Sequence, residues 1–147
     1  MKIVYYEETH LQACAKRLVK HYNSADFGCK FTEQQAALYL QELIFAPRFV
    51  GFVLLEKNTV IGFCFCQLRT WSDSEEMHIN EFILEEAHQR KGIGSKLLDF
   101  VSTYAASYQL KGITTSTNVI ALTEFYQKND FLSHDISFLY KGIPQKA

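Results

Sequence analysis

The densest chemical signal in the chain is the run Glu85-Glu86-Ala87-His88-Gln89-Arg90-Lys91-Gly92-Ile93-Gly94-Ser95-Lys96. It follows an apolar, strand-like stretch and leads into Ile93, Leu97, Leu98, Val101 and Ala105, which are spaced as one face of a helix. A loop therefore becomes a helix N-terminus here. The first N–H groups of such a helix have no intrahelical acceptor and its dipole is positive, so an anion is stabilised. Gly92 and Gly94 let the backbone approach phosphate without a Cβ in the way, and Arg90 and Lys91 add positive charge. A diphosphate fits. The phosphate loop of nucleotide triphosphatases needs four residues between its first Gly and Gly-Lys-Ser/Thr, which are absent, and the dinucleotide fingerprint needs a third Gly where Leu97 stands.

The elements that must hold this loop can be parsed by periodicity. Residues 2–7 predict a strand, and Leu11, Cys14, Ala15, Leu18 and Tyr22 predict a helix directly after it. Thr32-Glu33-Gln34-Gln35 is a capping box opening a second helix with Ala36, Leu40, Leu43 and Ile44 on its buried stripe, ending before Pro47. Residues 49–56, 60–69 and 76–84 are rich in aromatic and β-branched types and predict an antiparallel meander, with Lys57-Asn58 as its first turn. After the helix that begins at Ile93 come a short strand near 111–116, a helix over about 119–129, and a closing strand or hairpin over 131–141. The order is β-α-α-β-β-β-α-β-α-β(β), an α/β chain of α+β character with a mixed sheet and helices on both faces. Neither a linker nor a repeat divides it, so a single domain over 1–147 is expected.

In this context, Gln89-Arg90-Lys91-Gly92-Ile93-Gly94 resembles the Gln/Arg-x-x-Gly-x-Gly/Ala signature of the GNAT family of N-acetyltransferases. The element order is also similar to that family's acyl-CoA N-acyltransferase fold. The resemblance implies acetyl-CoA as cosubstrate, its pyrophosphate held by backbone N–H groups from about Gln89 through Arg90, Lys91, Gly92, Ile93 and Gly94 to Ser95. It also implies that Leu84, at the end of a splayed strand, pairs with the pantetheine arm. A second segment, from Asn118 to Phe131, resembles an Asn-x-x-Ala-x-x-Phe-Tyr-x-x-x-Gly-Phe pattern. It departs in Asp130, where Gly is usual, and in Asn118 and Ala121, which lie one residue too far from Tyr126. Asn118 is thus either a CoA contact or only a helix cap.

Acetyl transfer to an amine needs a neutral nucleophile, a donor for the developing oxyanion and a proton for the departing thiolate. Similarity to aminoglycoside 6′-N-acetyltransferases implies Glu81 as the base, acting directly or through water, and the family resemblance implies Tyr126 as the acid, its phenol protonated at neutral pH with a pKa of about 10. The Leu84 N–H is the expected oxyanion donor. Each has a plainer reading: Glu81 as a solvated strand residue, Tyr126 as core packing beside Leu122. His78 is a rival base. The acceptor expected is a small cationic amine, a polyamine or aminosugar, drawn by acid at Glu7, Glu8, Asp73, Glu75 and Glu76, which could equally be solvated loop. Transfer to a protein N-terminus or lysine, and acyl-CoA binding without turnover, are the alternatives.

Composition narrows the partners. Fifteen Lys+Arg against sixteen Asp+Glu leave a net charge of −1, with no basic surplus for nucleic acid. The longest mainly apolar run, residues 45–55, is broken by Pro47 and Arg48, well short of the roughly 20 residues of a membrane span. Residues 1–8 carry one positive charge and no signal-peptide core, and Cys14, Cys29, Cys64 and Cys66 lack zinc-ligand spacing. A cytoplasmic protein with reduced thiols and no metal is expected. Ile136, Phe138 and Tyr140 alternate and could pair across a homodimer or edge the chain's own core.

Overall fold

The strand and helix periods of the sequence separate as read. A computed structural model describes residues 1–117 and 119–146. They fall into two compact units, Met1–Ser116 and Thr117–Ala147.

The first unit contains β1 (Lys2–Tyr5), α1 (Leu11–Tyr22), α2 (Glu33–Ile44), β2 (Phe49–Glu56), β3 (Thr59–Trp71), β4 (Ser74–Leu84), α3 (Ile93–Ser107) and β5 (Gly112–Thr114). The sheet order is β1-β2-β3-β4-β5. The first four strands are antiparallel, whereas β5 runs parallel to β4. Lys57 and Asn58 join β2 to β3 with φ of 50° and 63°, the left-handed pair that matches the twist of a two-residue hairpin. The capping box is present: the Gln35 N–H donates to Thr32 Oγ1 and the Thr32 N–H to Gln35 Oε1, each at 3.1 Å.

Central β3 is buried on both faces from Val60 to Cys66. On one side, Phe63, Phe65, Val53 and Ile83 pack with Leu11, Cys14 and Leu18 of α1 and Ala36 and Leu40 of α2. On the other, Leu54, Ile61 and Leu84 meet Ile93 of α3, and the Phe52 ring lies 5.8 Å from Phe100 and 5.4 Å from Tyr104. Cys64 and Cys66 lie side by side with their sulfurs 3.5 Å apart, and all four thiols are free. Among the described residues no helix is long and apolar enough to cross a membrane.

The second unit contains α4 (Ile120–Lys128). Asp130, at φ 71°, ends the helix as a glycine would: the Asp130 N–H reaches Gln127 O (3.1 Å) and the Phe131 N–H reaches Tyr126 O (3.0 Å). That bond pair is a Schellman closure, so the departure at 130 preserves local geometry. The expected strand or hairpin over 131–141 does not form among the described residues. Ile136, Phe138 and Tyr140 alternate as a strand would but are 83%, 90% and 83% exposed. Alternation supplies a face; a strand also needs a neighbour to take its backbone hydrogen bonds.

Candidate active site

Two interruptions in β4 shape the site. Its pairing with β5 covers only Glu76–His78 against Gly112–Thr114; beyond the Thr115 hydroxyl on the Ile79 carbonyl (3.4 Å), among the described residues no strand pairs with that edge as far as Leu84, which leaves it an open strand edge. Its pairing with β3 slips between Phe65 and Cys66: Phe65 faces Glu81 and Cys66 faces Ile79, leaving Asn80 as the extra residue of a β-bulge. Facing residues of an antiparallel pair share a side of the sheet. Ile79 therefore lies on the α3 side with Cys66, while after the bulge Glu81 lies with Phe65 beneath α1 and α2. Without the bulge, Glu81 would sit on the opposite face.

There Glu81 is 6% exposed. Tyr22, the last residue of α1, donates its hydroxyl to Glu81 Oε2 (2.8 Å), and Tyr39 of α2 donates to Oε1. Burial pushes the Glu81 carboxyl above its ordinary 4.5, and the two phenolic donors pull it part of the way back. Burial and then the neighbouring carboxylate push both phenols upward, so they stay protonated as donors. The solvated-strand reading of Glu81 does not hold. His78 faces Gln67 on the same side as Glu81, with Nδ1 2.8 Å from Thr114 Oγ1. Burial, then the Arg69 charge, holds its imidazole below the usual 6.5.

Beyond β4 the chain makes a 3₁₀ turn at Glu86–His88 and enters α3. The turn is tied down by Arg17, which reaches Glu85 Oε1 at 2.6 Å, and by His88, 3.0 Å from Glu56. The Glu85 N–H donates to Ile61 O (2.7 Å). Because ladder groups alternate along an antiparallel strand, Leu84 turns its own N–H and C=O to the open edge. The Leu84 carbonyl is taken by the Gln89 side chain (2.9 Å), which leaves its N–H for a ligand. The Gln89 N–H is committed to Glu86 O (3.1 Å). The N–H groups open to an anion therefore start after Gln89.

Arg90 (φ 63°) and Gly92 (φ 77°) both take left-handed conformations. The first helical bond of α3 runs from the Lys96 N–H to Gly92 O (3.2 Å) and no side chain caps the helix, so the N–H groups of Ile93, Gly94 and Ser95 precede the ladder. Arg90, Lys91 and Lys96 are exposed around them. A diphosphate suits this set: unpaired N–H groups, three cations, and open space where a Cβ on Gly92 would lie. Since a methyl at Gly92 meets nothing within 4 Å, only backbone strain opposes it. Gly92→Ala should lose about 1–2 kcal/mol of stability, while Gly92→Asn, tolerant of positive φ, should be milder. Chemical denaturation of both variants measures the difference.

The remaining acid sits elsewhere. Glu75, at the far end of β4, is paired with Arg48. In the second unit, Tyr126 of α4 is buried, its ring 5.3 Å from Phe125 and 5.2 Å from Phe131. Asn118 lies outside the described residues. Sequence reasoning missed Tyr22, which it assigned to packing at the end of the α1 stripe, and Tyr39, which lies off the α2 stripe. A tyrosine's packing role hides its hydroxyl.

An open-edged, bulged strand running into a phosphate-ready helix start belongs to the acyl-CoA-binding class of transferases. A model of the Acetyltransferase (GNAT) family matches residues 15–131, and the chain belongs to that family. Streptothricin acetyltransferase of Escherichia coli is 34% identical over 79 residues, 52% of this chain and 44% of that protein, so the match spans less than half the relative's length. A GNAT family acetyltransferase of Staphylococcus aureus superposes with a TM-score of 0.74 at 19% identity, covering 96% of this chain and 99% of that one. An aminoglycoside acetyltransferase from an uncultured soil metagenomic sample gives 0.75 at 18%, covering 97% and 96%. At such identities the structural likeness is one of fold.

Proposed function

We propose that the protein is an acetyl-CoA-dependent N-acetyltransferase that transfers acetyl directly to a primary amine of a small cationic acceptor, an aminosugar or a polyamine. The observation that carries this reading is Glu81: a carboxylate buried on the bulged strand, close to the open edge of β4 and three residues before Leu84. The streptothricin and aminoglycoside acetyltransferases to which the chain is similar support the acceptor class. The family match from 15 to 131 runs across both units and supports a single acetyltransferase domain. Free thiols at all four cysteines are in keeping with a cytoplasmic location.

Acetyl-CoA supplies an activated acyl group as a thioester. In this reading the N–H groups of Ile93, Gly94 and Ser95, with Arg90 and Lys91, bind its diphosphate, and the Leu84 N–H orients the acyl arm along β4. Glu81 removes the ammonium proton of the acceptor, leaving its nitrogen neutral for attack, and its negative charge also draws a cation to the site. Tyr126 gives its phenolic proton to the departing sulfur, and the second nitrogen proton, released as the tetrahedral adduct collapses to the amide, restores the phenol.

The test is release of CoA thiol across a panel of aminoglycosides, streptothricin, polyamines, amino acids and short peptides. Turnover is expected with one cationic small-molecule class. Tyr126→Phe is expected to lower kcat about 100-fold with KM little changed. Silence with every small amine, alongside acetyl-CoA binding, would contradict the small-acceptor reading; turnover only with peptides would move the acceptor to protein.

A further inference from the structure

The most unusual polar cluster in the first unit is one buried carboxylate held by two phenols from two different helices. A buried charge is usually balanced by a cation, yet among the described residues no ion pair reaches Glu81. The titratable groups facing it are Tyr22 from α1 and Tyr39 from α2, while the Cys64 thiol of β3 lies on the opposite side of the sheet beside Cys66. Among the described residues the two hydroxyls supply the donors, one to each oxygen. With both oxygens engaged, the carboxylate plane is fixed at two points.

The phenols are themselves fixed. The ring of Phe31 lies 5.9 Å from Tyr22 and 6.2 Å from Tyr39, and Phe27 lies 5.2 Å from Tyr22. Asn23 clamps this α1–α2 connection, donating from Nδ2 to Phe31 O and accepting the Phe31 N–H at Oδ1, both at 2.8 Å. Connection, phenols and carboxylate thus form a single linked unit.

We infer that Tyr22 and Tyr39 are positioning residues for the base, orienting the Glu81 carboxylate and stabilising its charged form by two-point hydrogen bonding. The inference rests on the reading of Glu81 as the base only for its catalytic consequence; the coupling itself does not. A hydroxyl that donates to the carboxylate favours the ionised form, so removing it must move the Glu81 titration to higher pH.

The experiment follows the side-chain carboxyl carbons of protein labelled with ¹³C-glutamate by NMR as a function of pH, with Glu81→Gln identifying the Glu81 signal. Tyr22→Phe and Tyr39→Phe should each raise its midpoint by about one pH unit, and the double variant should raise it further. Amide spectra and thermal melts of each variant report whether the fold is kept, and Phe49→Leu, which loosens packing on Phe65 in the same core, serves as a control that leaves both hydroxyls and their Phe31 support in place. Once an acceptor is in hand, the acid limb of the kcat pH profile should move by the same amount, with KM for acetyl-CoA unchanged. An unmoved midpoint in folded Tyr22→Phe and Tyr39→Phe proteins, or an equal movement in Phe49→Leu, overturns the inference. A moved midpoint in a protein that acetylates no amine upholds the coupling and overturns the catalytic reading instead.

Discussion

Glu81→Gln is expected to slow acetyl transfer by about 10²- to 10⁴-fold, the range lost with a positioned general base, while leaving acetyl-CoA affinity near the wild-type value. The amide keeps the shape of the side chain but cannot take a proton. The acid limb of the pH–rate profile should vanish in the variant, because the group whose ionisation produces it is gone. Stability should respond in the opposite sense. Burial raises the folded carboxyl above its ordinary 4.5, so its contribution is fully present below about that pH and is lost as pH rises through the folded value. The melting temperature of wild type relative to Glu81→Gln should therefore fall on going from pH 4 upward. A variant with unchanged kcat would dismiss Glu81 as the base and leave His78, already engaged with Thr114, as the candidate to test.

Phe65→Ala should cost about 3–5 kcal/mol, the range for emptying a buried aromatic site. That corresponds to a fall in Tm of roughly 10 °C or more for a chain of this size. Phe65 is fully buried, with its ring 5.2 Å from Tyr6, 5.1 Å from Phe49 and 4.8 Å from Phe63. It also faces Glu81 across the ladder, next to the bulge. The cavity would therefore open directly beside Glu81, and activity should drop even at temperatures where the variant remains folded if that carboxylate is the base. Phe65→Leu, which keeps most of the volume, should lose much less of both. Chemical denaturation of the two variants measures the difference; a cost under about 1.5 kcal/mol for Phe65→Ala would mean that the site refills by collapse of its neighbours.

The sequence by itself determined the local chemistry. The Thr32 capping box, the Lys57-Asn58 turn and the order of elements through α4 are short-range facts, settled by side chains within a few residues of one another, and they were legible as such. The loop from Gln89 to Ser95 was legible for the same reason: glycine and cationic residues before an amphipathic run carry their own geometry. Residues 131–141 misled because alternation encodes a face and not a partner. Only the tertiary structure decided which side of the sheet Glu81 occupies, since the single extra residue at Asn80 reverses the strand's faces and depends on β3 pairing rather than on any residue type. It likewise decided that Gln89 spends its side chain on the Leu84 carbonyl. It also brought Tyr22 and Tyr39, 59 and 42 residues away in sequence, onto one carboxylate. Each of these is a hydrogen bond or a register between distant segments, and periodicity, which reads neighbours only, cannot encode it.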